Sequence, residues 1–153
     1  MRKIRIIEHI SLDGVIQAPG GLDEDRDGNF EYGGWAMLGS DNAVGEAIVA
    51  AHSTAFDLLM GRRTYDIWSD YWPKAGKSPM ADSINAATKY IATHRPDSLE
   101  WGPVKDLGAN IGEGIRQVKS ADGPDLIVWG SSTLTPLLLE QGLADEVLLL
   151  VFP

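Results

Sequence analysis

The sequence predicts an α/β domain with a mostly parallel sheet. Three observations carry the prediction. Short apolar, β-branched runs alternate with segments whose apolar residues recur at helical spacing. Two runs, LIVW at 126–129 and VLLLVF at 147–152, are continuously apolar, as strands covered on both faces are. Most runs also end in glycine or in a small polar cluster that opens a helix-like segment.

The elements follow in order. KIRIIEHI (3–10) reads as the first strand. Residues 11–40 are rich in glycine and polar groups. A stretch that long without regular structure points to a loop beside a ligand site. From Asp41 to His52, Val44, Ala47, Ile48 and Ala51 fall on one helical face, and Ser40 or Asp41 can cap it. AFDLLMG (55–61) is a second strand stopped by glycine, and 62–71 opens a helix. A short helix is expected from Met80 to Ala87, after Pro79, and a third strand over KYIAT (89–93). Ile111, Ile115 and Val118 mark a helix within 110–119. LIVWG (126–130) is a buried strand, 132–141 is a helix stopped by Gly142, and DEVLLLVFP (145–153) is the last strand.

Composition narrows the function. The chain has 153 residues, which predicts one domain over 1–153. It has no cysteine, so disulfide scaffolds, thiolate metal sites and cysteine nucleophiles are excluded. A net charge of −9 disfavours nucleic acid and anionic membranes as partners. No apolar run approaches the ~20 residues of a membrane helix. Arg5, Glu8 and His9 interrupt the N-terminal run, so it is not read as a signal peptide, and the cytoplasm is the expected compartment. His9, His52 and His94 are scattered without metal-ligand spacing, and His52 is expected on a helix surface. His9, Ser11 and Asp13 are close in sequence, but their side chains are expected to lie apart, and no nucleophile triad is expected from them.

In open α/β sheets ligands bind beyond the carboxyl ends of the strands, so the residues there matter most. Gly61, Arg62, Arg63 and Thr64 follow the second strand: a glycine for close approach, two guanidiniums, a hydroxyl and a helix N-terminus. No other Lys or Arg lies between Arg26 and Arg62. Thr93, His94 and Arg95 follow the third strand. Gly130, Ser131, Ser132 and Thr133 follow the buried strand, a small-residue turn suited to a pyrophosphate or a flat ring. Three donor sets at strand ends could converge on one nucleotide. Each set alone also fits a plain turn or a solvated loop. Neither G-x-G-x-x-G nor a P-loop occurs.

ISLDG (10–14), LLMGRRTYD (58–66), KYIATHRP (89–96), LIVWGSSTL (126–134) and LLEQGLADEVLLLVFP (138–153) occur together in a familiar order and spacing. With them the chain resembles the dihydrofolate-reductase-like family. It is most similar to the reductase domain of the riboflavin-biosynthesis deaminase/reductase, in its small stand-alone bacterial form. The resemblance implies a three-layer α/β/α fold with a mostly parallel mixed sheet, and an NADPH-dependent reductase. It implies that Arg62, Arg63 and Thr64, with Gly61, hold cofactor phosphates. Thr93, His94 and Arg95 match the segment near the adenosine ribose and its 2′-phosphate. Gly130, Ser131, Ser132 and Thr133 match the turn along the pyrophosphate and nicotinamide. Asp13 and Gly14 match the loop between nicotinamide and substrate.

Dihydrofolate reductases grip the pterin with a helix carboxylate, for which Asp41 is the nearest candidate here; its plainer reading is a helix N-cap. The family pattern also continues beyond the last strand with more strands, whereas this sequence stops at Pro153. Either more chain or a partner copy is expected to cover that strand, and a homodimer is the expected assembly. The substrate expected is a small heterocycle, such as a pteridine, flavin precursor or aminopyrimidine. Trp35, in the long loop, is a candidate to stack on it. Trp68 and Trp72 read first as packing residues and second as a pocket wall. The competing function is a nucleotide-binding module without turnover, acting as a dimeric sensor.

Overall fold

A computed structural model describes residues 1–39 and 41–153; the expected cap at Ser40 lies outside the described residues. Among the described residues six strands form one sheet: β1 (Ile4–Ser11), β2 (Phe56–Gly61), β3 (Lys89–Ala92), β4 (Val104–Asp106), β5 (Asp125–Trp129) and β6 (Glu146–Phe152). Their spatial order is β4-β3-β2-β5-β1-β6. Every pairing among the described residues is parallel, where a mixed sheet was expected. Six α-helices connect them: α1 (Trp35–Leu38), α2 (Asn42–Ala51), α3 (Arg62–Tyr71), α4 (Pro79–Ala86), α5 (Ile111–Ser120) and α6 (Leu134–Glu140).

Strand alternation divides the core into two layers. Ile7, Leu58, Met60, Ile91 and Ile127 face one side and pack with Ala51, Tyr65 and Ile84 from α2, α3 and α4. Ile4, Ile6, Leu59, Leu126 and Val128 face the other and pack with Ile115, Leu134 and Leu138 from α5 and α6. This is the three-layer arrangement that the family resemblance implies. No described helix is long and apolar enough to cross a membrane.

The helix starts follow local chemistry. Asp41 accepts the Val44 amide at 3.0 Å, Ser78 the Ala81 amide at 3.1 Å ahead of Pro79, and Asn110 the Glu113 amide at 3.1 Å. The sheet's amino-terminal end is tied by charge. Arg2, almost fully buried, donates to Asp57 and to the Pro124 carbonyl, each at 2.5 Å. Lys89 is wholly buried on β3. Its Nζ donates to the Asn85 carbonyl at 2.7 Å and lies 4.2 Å from the centre of the Trp101 ring, and burial pushes its pKa down to about 8. These ionic contacts lie away from the carboxyl ends of the central strands. On the edge strand β6, Val147, Leu149 and Val151 alternate as half-exposed residues.

Two elements were absent from the sequence reading. β4 is only three residues long, too short for its period to register. The one-turn helix α1 interrupts the long loop, started by Gly34 in the left-handed conformation (φ +79°).

Candidate functional site

The chain moves outward from β2 to β3 and β4, while β5 and β1 lie on β2's other side. That reversal opens a crevice at the carboxyl ends of the central strands. A cleft of about 870 Å³ occupies it, within the range of small-molecule and cofactor sites.

Two strand-end turns form its base. After β5, Gly130 (φ +57°) and Ser131 (φ +71°) turn the chain into the left-handed region. The turn is fixed by the Gly130 amide on the Ile7 carbonyl (3.0 Å), by the Leu134 amide on Ser131 Oγ (3.2 Å) and by the Thr135 hydroxyl on the Gly130 carbonyl (2.8 Å). After β2, Gly61 caps α3 without a side-chain partner for the helix amides. A Cβ at Gly61 would stand 2.7 Å from Ser131 Oγ, so only glycine lets the two turns approach this closely. Arg62, Arg63 and Thr64, like Ser131, Ser132 and Thr133, line the cleft. The start of the ten-residue α3 offers unpaired amides and the positive end of its dipole.

The two arginines have different tasks. Arg62 is held on every side: Nε donates to Asp66 (2.8 Å), Nη1 to Thr93 Oγ1 (3.2 Å) and the Arg95 carbonyl (2.9 Å), and Nη2 to Ser98 Oγ (2.9 Å). Its guanidinium knits α3 to the segment after β3. Arg63 is more exposed and grips two acids of the long loop, Asp25 at 2.8 Å and Asp27 at 2.6 Å. The Asp27 backbone amide, followed by the nearby Arg63 charge, holds the Asp25 carboxyl below the usual range.

Aromatic rings build a wall. Trp129 stacks between His9 and His52, at centroid separations of 5.4 and 5.8 Å, and Trp68 and Trp72 continue the surface. Trp68 and Trp72 therefore serve as both packing and pocket wall. Trp129 donates its indole N–H to His52 Nε2 (3.1 Å), and His52 Nδ1 donates to the Ile48 carbonyl (2.8 Å). His52 is accordingly a partly buried cleft residue, not the surface residue expected. Burial lowers the pKa of both histidines, which favours their uncharged rings.

The other expected residues lie outside the cleft walls. Thr93, His94 and Arg95 sit behind α3: Thr93 accepts from Arg62 and from the Arg95 amide (3.0 Å), and Arg95 pairs with Asp66 (3.2 Å). Asp41 caps α2. Gly14 (φ +92°) forms the turn after β1, where Ser11 donates to Asp13 at 2.6 Å. Contrary to the sequence reading, this turn brings Ser11 and Asp13 together, while His9 goes to Trp129 instead. Trp35 is not among the cleft walls. Its indole N–H donates to the Gln17 carbonyl (2.8 Å) and its ring meets Phe152 edge-on (5.7 Å). The long loop itself does border the cleft, through residues such as Ile16, Pro19 and Asp25.

Among the cleft residues that sequence reasoning missed is Glu8. It lies near the end of β1, is 8% exposed and borders the cleft. Desolvation raises its pKa to about 7. Its signal was an acid among the isoleucines of the first strand, near that strand's carboxyl end.

The model of the RibD C-terminal domain family matches residues 2–153. The chain is similar to the "Uncharacterized protein YyaP" of Bacillus subtilis (strain 168), with 22% identity over 157 residues, covering 99% of this chain and 75% of that protein.

Proposed function

The chain belongs to the RibD C-terminal domain family, and on that premise we propose that it is an NADPH-dependent reductase of a small heterocycle. The candidates are a pteridine, a flavin precursor or an aminopyrimidine. The observation that carries this reading is the contact between two strand-end turns across the sheet's reversal point. One is the uncapped start of α3 and the other the Gly130–Thr133 turn.

The residues fit such a cofactor. The α3 amides, Thr64 and the Arg63 guanidinium supply donors for phosphate oxygens. The bare backbone of Gly61 lets the Gly130–Thr133 turn sit against the start of α3. Ser131, Ser132 and Thr133 add hydroxyls along the same edge. The Trp129 and His9 rings offer a flat apolar surface to a flat ring. When bound, NADPH supplies the hydride. The chain's part is to orient the two rings and exclude water, which hydride transfer requires more than it requires a protein nucleophile. Asp13 and Gly14, at the turn after β1, are proposed to border the substrate side. Arg62 and the Thr93–Arg95 segment are proposed to position α3 against the cofactor.

The test is loss of the reduced-nicotinamide absorbance when the protein and NADPH are mixed with a panel of pterins, flavins and aminopyrimidines. Oxidation that depends on both protein and acceptor supports the reading. NADPH binding without oxidation of any panel member would favour a nucleotide-binding module instead. Absence of both would contradict the reading.

A further inference from the structure

Glu8 is the unusual charge of the cleft. It is 8% exposed, and among the described residues its carboxyl has no hydrogen-bond or ion-pair partner. Its oxygens are not sealed in, because no buried side-chain oxygen lacks a partner and Glu8 borders the cleft. A Cβ added to Gly130 would stand 3.8 Å from Glu8 Oε1, which places the carboxyl beside the turn assigned to the nicotinamide side.

The cleft's other titratable groups are committed or biased toward their uncharged form. Arg62 is bound to Asp66, and Arg63 to Asp25 and Asp27. Glu24 accepts the amides of Gly20 (2.6 Å) and Gly21 (2.9 Å). Burial disfavours the charged forms of His9 and His52. No fixed cation compensates Glu8, and an unpaired charge in a dry site is costly. Whatever enters beside Glu8 decides whether the carboxylate is tolerated.

The two redox forms of a nicotinamide differ by one ring charge: the reduced ring is neutral and the oxidised ring is a cation. We propose that Glu8 senses that charge, favouring the oxidised ring as a carboxylate and the reduced ring as a neutral acid. The proposal rests on the NADPH reading above. By linkage, proton release from Glu8 and binding of the oxidised cofactor reinforce each other. The relative affinity for the two forms therefore shifts across the range in which Glu8 titrates, which burial has moved to about pH 7. With the cofactor bound, the Glu8 carboxylate would also favour positive charge on the nicotinamide ring, an electrostatic contribution of the chain's own.

The experiment is a dissociation-constant measurement for NADP+ and for NADPH at about pH 6 and about pH 8.5, on either side of the Glu8 titration. Both ligands carry the same phosphates, so phosphate protonation cancels in the ratio of the two constants. In the wild type, NADP+ tightens relative to NADPH by roughly tenfold, about 1.4 kcal/mol, between the two pH values. In Glu8→Gln and Glu8→Ala the ratio is flat, and in Glu8→Asp the slope returns; circular dichroism confirms that each variant folds. A flat ratio in a wild type that binds both ligands overturns the proposal and leaves the reductase reading intact. A slope that survives in Glu8→Gln also overturns it, because His9 or His52 then carries the effect. If neither ligand binds at either pH, the reductase reading fails and the proposal fails with it.

Discussion

Arg63 meets Asp27 at 2.6 Å, joining the start of α3 to the long loop at the edge of the cleft. Asp25 shares the same guanidinium at 2.8 Å. Because this side chain is more than half exposed, the pairs contribute little to stability, typically 0–1 kcal/mol for such pairs. On the proposed function, a cofactor phosphate would replace these two acids at low cost. Arg63→Ala therefore weakens NADPH binding by about 1–3 kcal/mol, the worth of a charge-assisted bond, with little change in Tm. The double change Asp25→Asn with Asp27→Asn acts in the opposite sense: it frees the guanidinium and removes two negative charges near the phosphate. Calorimetric titration of both variants checks the pair of signs.

Arg62 behaves differently despite being its neighbour. Its side chain is mostly buried, and its donors are used on Asp66, Thr93, Arg95 and Ser98. Arg62→Ala leaves carbonyl and hydroxyl groups unmet and loosens α3 from the segment after β3. The expected loss is about 1–3 kcal/mol in urea unfolding, larger than for Arg63→Ala. Any fall in NADPH affinity follows from that loosening.

How far the sequence reached is clearest at these two residues. Gly61, Arg62, Arg63 and Thr64 were recognisable as a strand-end cluster because glycine, cations and a helix start coincide there. Their division of labour was not. It depends on Asp25 and Asp27, distant in sequence, and on carbonyls that only the folded loop presents. Every strand but β4 and most helices among the described residues were legible through period and caps, as at Asp41 and Pro79. Trp35 was misplaced because a glycine-rich loop gives no period from which to read direction, and the ring turns onto Phe152. His52 was misplaced because its partner, Trp129, comes from the far side of the sequence.

Glu8 makes stability depend on pH in a defined direction. The folded carboxyl keeps its proton up to about pH 7, whereas its ordinary value is 4.5. Between those values the folded state binds more protons than the unfolded chain, so this group's contribution falls as pH rises. Above the window the penalty is complete, on the order of 3 kcal/mol at about 1.4 kcal/mol per unit. Glu8→Gln removes that slope and raises Tm relative to the wild type at about pH 8. Thermal unfolding of both proteins across the window measures it.

His52 supplies the acceptor for the Trp129 indole N–H. His52→Ala leaves that donor without its partner and removes one ring of the stack. The expected cost is about 1–3 kcal/mol of stability, with a change in tryptophan emission. His52→Gln, which can still accept, recovers part of the loss.

Three cleft tryptophans, Trp68, Trp72 and Trp129, make the central claim directly measurable. A reduced nicotinamide bound among them quenches their emission by energy transfer. The decisive measurement is that titration, run in parallel with NADPH and NADH. Saturable quenching that is tighter with NADPH, and weakened in Arg63→Ala, is the predicted result. No saturable quenching with either nucleotide would contradict the account.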